Sequence, residues 1–406
     1  MPQTTITNVN VFDGETRLPG PHTVVIEGSR VIRVSPTPAS STSEDAAAAE
    51  STDETGAEIV VVDGRGHTLL PGLIDAHVHI DSPARLARCA GYGVTAVCDM
   101  ACARAARYAE MKATAAAGKG PPGSRLTPTA WRGTSVPAYA ARSWHGTLHR
   151  LGGVGDENAV GGVEAVRDFV AARVGDGSAW VKVIADVPGL EPEVLHALAA
   201  EARARGVTSV AHVAAHASFA RGLEAGFDVL THVPIDRALD GAMAGAMHRA
   251  HTVAVPTLTM MRGFTRSWIL WPVFWGRDYA HARESVRRMR EAGVEICVGT
   301  DANESGVATV VAGRAVHEEL GLLVEAGLTP AEALRGATSG PARVFGFEGE
   351  GRGWVREGGR ADLVLVEGDP TVDIECSRRI KRVWSGGVEV EVAADLEGSD
   401  SWCSVM

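Results

Sequence analysis

Polar and apolar residues alternate one by one at both ends of the chain, but not in its middle. Within residues 1–34, "TTITNVNVFDG" and "HTVVIEGSRVIRV" show the period of two that places neighbouring side chains on opposite faces of a strand. "EIVVVDGRG" extends that pattern after an intervening stretch. From about Pro71, short apolar runs alternate with Ala-, Arg- and Glu-rich helical segments such as "EPEVLHALAAEARARG" and "HARESVRRMREAG", the rhythm of repeated βα units. Eight runs read as strands: "LIDAHVH", "TAVCDM", "RLTPTA", "AWVKVI", "VTSVAHV", "DVLTHV", "TVAVPTL" and "VEICVGTD". Near Gly351 the β pattern returns, in "GWVREGGRADLVLVEGD" and "IKRVWSGGVEVEV". The expected fold class is α/β. A (β/α)8 TIM barrel would span residues 71–350. A small β-sandwich domain would be built from both chain ends, 1–70 and 351–395, with a tail at 396–406.

Charge adds one feature to this layout. The chain carries a net −11, and residues 35–58 supply six acidic side chains with no Lys or Arg. That stretch lacks large apolar groups, so it reads as a flexible acidic surface loop. The overall charge argues against a nucleic-acid partner. No apolar stretch reaches the roughly 20 residues of a membrane helix, and no secretory leader pattern opens the chain. Six scattered cysteines, of which Cys98 and Cys102 are closest, fit reduced thiols in the cytoplasm. The expected partner is a small-molecule substrate, and the expected assembly a homo-oligomer.

The candidate chemistry lies at the ends of the apolar runs. His77 and His79 are two apart on the first strand and share a face. The fifth run ends at His212, the sixth at His232 and the eighth at Asp301, while Lys182 interrupts the fourth. A barrel gathers its active site at the C-terminal ends of its strands. Convergence of imidazoles and a carboxylate at one rim is the donor set of a divalent metal, although each residue alone is a weak signal.

With those residues, "LLPGLIDAHVHI", "GFDVLTHV", "EICVGTDA" and "GGRADLVLVEGDP" resemble landmarks of the amidohydrolase superfamily, in its imidazolonepropionase-like branch with prolidase-like dipeptidases and ochratoxin-hydrolysing amidases. The resemblance covers nearly the whole chain apart from the acidic insert and the tail. It implies that His77 and His79 bind the more buried of two metal ions, and His212 and His232 the more exposed one. Asp301 would bind metal and shuttle protons. Lys182 would carry a carboxylate derived from CO2 that bridges both ions.

Each implied role has a chemical reason. Only a neutral lysine attacks CO2, and its ordinary pKa of about 10.4 must fall in a buried, cationic pocket. Two ions roughly 3.5–4 Å apart hold a bridging hydroxide as nucleophile, and Asp301 can take and return its proton. Zinc is the first choice for this donor set, with manganese, cobalt and iron as alternatives. His216 is expected in a loop or helix start after His212 rather than as a third ligand, and His317 on a helix. Ala215 stands where some deaminases of the superfamily carry a glutamate, which argues against deamination.

The implied reaction is hydrolysis of an amide, peptide, lactone or carbamate bond; a lyase, decarboxylase or isomerase on the same scaffold is the alternative. An idle scaffold does not fit an intact ligand set. The loop after the third strand, "WRGTSVPAYAARSWHGTLHRLGG", offers Tyr139, Arg142 and His145 as substrate contacts. It departs from the Gly- and His-rich segment of the dipeptidases, which argues against dipeptidase activity. After the seventh strand, Trp268 and Trp271 lie in an aromatic stretch suited to a hydrophobic substrate. The final "CSVM" fits a prenylation pattern, but its acidic flank lacks the expected basic partner signal.

Overall fold

The computed structural model describes residues 3–37, 50–52, 58–80, 82–101, 105–117, 129–134, 137–141, 159–266, 276–303 and 309–396. The alternating N-terminal segments form strands β1 (Gln3–Val11), β2 (His22–Glu27), β3 (Arg30–Pro36), β4 (Glu50–Thr52), β5 (Glu58–Asp63) and β6 (His67–Pro71). β1 serves three neighbours. It pairs antiparallel with β2, parallel with β5 over Gln3–Thr7, and parallel with β6 over Asn10 and Val11. The change of partner coincides with a register shift around Asn8, whose φ is 56°. An irregularity of this kind bends a strand and re-aims its edge.

The continuous apolar runs form parallel strands: β7 (Leu73–Val78), β8 (Val94–Asp99), β9 (Ala130–Gly133), β10 (Trp180–Ile184), β11 (Thr208–His212), β12 (Val229–Thr231) and β13 (Val253–Val255). Every position of β7, β8, β10 and β12 is buried, as expected of parallel strands covered on both faces. Helices separate the strands, among them Pro83–Gly91, Val163–Asp176, Pro192–Ala204, His216–Ala225 and Gly241–Ala250. Order β7-β8-β9 makes one sheet and β10-β11-β12-β13 another. Backbone bonds link them: Ala179 N donates to Gly133 O (2.9 Å), and Ala138 exchanges bonds with Lys182 O and Ile184 N (2.8 Å each).

Residues 294–302 link the other two edges. Cys297 N donates to Ala254 O (2.9 Å) on one side; on the other, Ala76 N donates to Val298 O and Asp301 N to His77 O (2.8 Å each). The expected eighth strand is thus an extended connector with an isolated bridge at Ile296. Gly299 permits the close passage, because a Cβ there would stand 2.4 Å from Val255 Cγ1 and 3.0 Å from His77 N.

The last strands, β14 (Leu363–Glu367), β15 (Ile380–Ser385) and β16 (Val388–Val390), join the N-terminal ones in the order β16-β15-β14-β6-β1-β2-β3, so both chain ends share one sheet. Gly386 and Gly387, both with positive φ, form the two-residue turn between β15 and β16.

Two expectations need correction. The third strand starts at Ala130, where the sequence reading ended it. Trp131 and Gly133 are its buried positions, and residues 125–128 of the expected run lie outside the described residues. The stretch 35–58 is not all loop, because β3 runs to Pro36 and Glu50–Thr52 pairs antiparallel with β5. The remainder of the acidic stretch and the C-terminal "CSVM" lie outside the described residues.

Candidate metal centre

The C-terminal ends of the parallel strands bring the candidate ligands together. His77 is completely buried, while His79 is partly exposed. Their Nε2 atoms are 3.3 Å apart, and Asp301 Oδ1 lies 3.4 Å from the first and 3.2 Å from the second. Asp301 Oδ2 is 3.9 Å from His232 Nδ1. One ligand atom each from His77, His232 and Asp301 falls within 4.8 Å of the others. The His212 ring stacks edge-on to His232, with centroids 4.3 Å apart. Lys182 and His212 sit on one face of neighbouring strands, since Ile184 pairs with His212 and Lys182 is two residues before it.

Backbone strain accompanies this convergence. His232, Thr257 and Asp301 take φ of 70°, 53° and 55°, in the left-handed region that costs a side-chain-bearing residue roughly 1–2 kcal/mol. Three such residues follow three successive strand positions, and each turns its side chain at the rim. Strain held in this way clusters at functional sites.

Each imidazole has one nitrogen occupied by the protein. His77 Nδ1 lies 2.5 Å from Thr231 Oγ1, and His232 Nδ1 2.8 Å from Thr257 Oγ1. His79 Nδ1 donates to the Ala101 carbonyl at 3.2 Å, and its Nε2 lies 3.2 Å from the Asp301 carboxylate. His212 Nε2 contacts Asp186 Oδ2 at 3.2 Å. Such outer partners fix which ring nitrogen is available and how the ring is aimed.

The electrostatics are those of buried, closely packed groups. Burial, then the Lys182 charge, holds the His77 pKa well below the ordinary histidine value. Burial also opposes charging of His79, yet the hydrogen bond and charge of Asp301 carry its pKa upward. Burial pulls Lys182 down to about 7 against the attraction of Asp301. Lys182 Nζ has no hydrogen-bond partner among the described residues. An unpaired buried ammonium whose charge bears on His77 and His79 is costly in this form. Divalent cations and a carboxylated lysine would remove that cost, so the donor set fits metal ions.

Residues that the sequence reading passed over surround the centre. Asp75 is completely buried, accepts Thr300 Oγ1 at 2.6 Å, and is raised by burial to about 7. Asp99, bonded to Trp131 Nε1, is raised by burial to about 6. Both interrupt apolar runs as Lys182 does, so the same signal was available in "LIDAHVH" and "TAVCDM". Thr231, Thr257 and Asp186 carried no such signal.

The remaining candidates are elsewhere. His216 begins a helix, with its ring against Arg237. His317 is buried, bonded to Tyr92 O and facing Ser377 Oγ. Tyr139 is wholly buried beside Ala138, where Val160 N donates to its carbonyl. Arg142, His145, Trp268 and Trp271 lie outside the described residues. Among the described residues, no helix is long and apolar enough to cross a membrane.

Comparison with known proteins supplies the context. Residues 68–390, more than half of the chain, match the model described as the amidohydrolase family. Ochratoxinase of Aspergillus niger is 28% identical over 290 residues, 65% of this chain; the chain spans only 58% of that relative's length. Imidazolonepropionase of Anaeromyxobacter sp. (strain K) is 27% identical over 362 residues, covering 75% of this chain and 76% of the relative. A crystal structure of a Xaa-Pro dipeptidase with bound methionine in the active site is similar in fold, with a TM-score of 0.77 at 20% identity over 96% of this chain and 100% of that one.

Proposed function

The chain belongs to the amidohydrolase family, and on that premise we propose that it is a metal-dependent hydrolase cleaving an amide-type bond of a small substrate. One observation carries the reading: four imidazoles and the Asp301 carboxylate gather at one rim, and the buried Lys182, whose charge bears on His77, His79 and Asp301, lacks a hydrogen-bond partner among the described residues. The scaffold is read as a closed (β/α)8 barrel flanked by a small β-sandwich. His77, His79, Lys182, His212, His232 and Asp301 would hold two divalent ions, zinc by preference. Ions bound there would acidify a water and polarise a substrate carbonyl.

The chain's own groups do the rest. Burial keeps a neutral fraction of Lys182 near pH 7, able to take up CO2 and become an anionic ligand. Asp301 presents one oxygen toward His77 and His79 and the other toward His232. From that position it would accept the proton of the attacking water and return it to the leaving amine. Thr231, Thr257, Asp186 and the Ala101 carbonyl hold the four rings in place. The same reading has a reducing cytoplasmic setting and a self-associating chain.

Metal analysis of the purified chain, followed by assay on N-acyl amino acids, aryl amides and lactones, tests the proposal. Bound divalent metal and hydrolysis of an amide are expected. A metal-loaded protein inactive on the whole panel would overturn the hydrolase reading in favour of a lyase or isomerase.

A further inference from the structure

Of the four imidazoles, His79 is the one least held by packing. Its side chain is 31% exposed, against 19% for His212, while His77 and His232 are buried. The Ala101 carbonyl aims the ring by accepting from Nδ1 at 3.2 Å. In the neutral ring a hydrogen on Nδ1 leaves the Nε2 lone pair for a cation. Ala101 lies two residues past Asp99, the last position of β8, so the aim of His79 depends on what fixes that carbonyl.

The Asp99 carboxylate fixes it. Asp99 pairs with Val78 of β7 on one side and with Gly133 of β9 on the other. Its Oδ1 accepts from Ala101 N at 3.2 Å. The backbone amide of Ile80, the residue after His79, bonds to the same carboxylate. One buried group thus ties the segment that carries the ring to the segment that carries its acceptor, and bonds to an ionised acceptor are the strong ones.

Trp131 holds the carboxylate in turn, by donating from Nε1 to Asp99 Oδ2 at 3.1 Å. Its ring packs against Tyr108 of the helix Ala105–Ala117, with centroids 5.4 Å apart. The indole lies across Gly133, where a Cβ would stand 2.6 Å from Trp131 Cζ2 and 3.1 Å from Asp99 Cβ. Gly133 does not have a positive φ, so this position requires the missing side chain and not a special backbone.

We propose that Asp99 is a positioning residue for His79: clamped by Trp131 across Gly133, it fixes the Ala101 carbonyl and thereby selects the ring nitrogen offered to a metal. The inference rests on the metal-centre reading, but it is measured first on the chain without metal, so the two can fail separately.

Three variants attack the clamp at different atoms. Asp99→Asn sets an amide NH2 against the surrounding donors. Trp131→Phe removes the indole N–H and keeps a ring beside Tyr108. Gly133→Ala crowds the indole. In the full chain with 15N-labelled histidine, at alkaline pH where the ring is neutral, long-range proton–nitrogen spectra report the tautomer of each imidazole, and His79→Gln identifies the His79 signals. The native chain is expected to show the Nδ1–H form of His79, and the three variants a mixture. Competition with a chromophoric chelator should show zinc held about tenfold more weakly or worse in each variant. Tyr108→Leu loosens the same packing without removing the hydrogen bond, and should leave tautomer and zinc affinity native. An unchanged tautomer in both Asp99→Asn and Trp131→Phe would overturn the proposal. So would equal losses in Tyr108→Leu, which would make the effect one of packing. A tautomer shift in the variants of a chain that binds no zinc would uphold the positioning role and reject the metal reading.

Discussion

His232 Nδ1 lies 2.8 Å from the hydroxyl of Thr257, and both residues hold left-handed backbone at successive strand ends. The hydroxyl occupies one ring nitrogen and thereby aims the other. Thr257→Val keeps the branched shape and removes only the oxygen. It should weaken metal affinity about 10–100-fold while leaving the circular dichroism spectrum native. Competition with a chromophoric chelator measures this; an unchanged affinity would show that the contact does not orient the ring.

Lys182 is buried in β10 without a hydrogen-bond partner among the described residues. Lys182→Ala and Lys182→Arg should both lose bound metal and most activity. Short-chain carboxylic acids should partly restore the alanine variant by supplying the missing anion. If Lys182→Arg kept its metal and its full rate, the lysine would not be a bridging ligand.

His317 should make stability depend on pH. Burial lowers its pKa to about 4, against about 6.5 in an unfolded chain. Above pH 6.5 neither state carries the proton, and the stabilisation is complete. As pH falls from 6.5 toward 4 the unfolded chain takes up a proton that the folded chain refuses, so about 3 kcal/mol is lost. Urea unfolding at a series of pH values should show this slope in the native chain and a shallower one in His317→Gln. Identical slopes would count against it.

Glu319 should act in the opposite direction. Burial raises its pKa to about 8, so it is largely protonated at neutral pH. Its contribution is complete below the unfolded value of about 4.3 and declines as pH rises through 8, by about 5 kcal/mol in total. Glu319→Gln, which cannot ionise, should lose less stability between pH 5 and pH 8 than the native chain. Thermal unfolding across that range distinguishes the two, and parallel curves would mean that Glu319 titrates normally.

Much of the centre was legible in the sequence because its donors interrupt apolar runs. A histidine, aspartate or lysine within or at the end of an apolar run is conspicuous, and His77, His212, His232, Asp301 and Lys182 all stand out this way. Asp75 and Asp99 stand out equally. The alternation at both chain ends announced strands, and "LVLVEGD" and "VWSGGVEVEV" their partners, but pairing of β14 with β6 joins positions about 300 residues apart and has no local signature.

The sequence by itself determined the βα rhythm, the β character of both ends and the candidate donors, because each depends on periodicity or on a polar residue in an apolar run. Only the tertiary structure decided which ring nitrogens are occupied, where Glu319 sits, and that Trp131 reaches Asp99 across Gly133. Those facts depend on contacts of about 3 Å between distant segments: Thr231 is 154 residues from His77, and Glu319 is 61 from Leu258. A threonine or tryptophan in or after a strand looks ordinary in sequence, and its role exists only once folding supplies the partner.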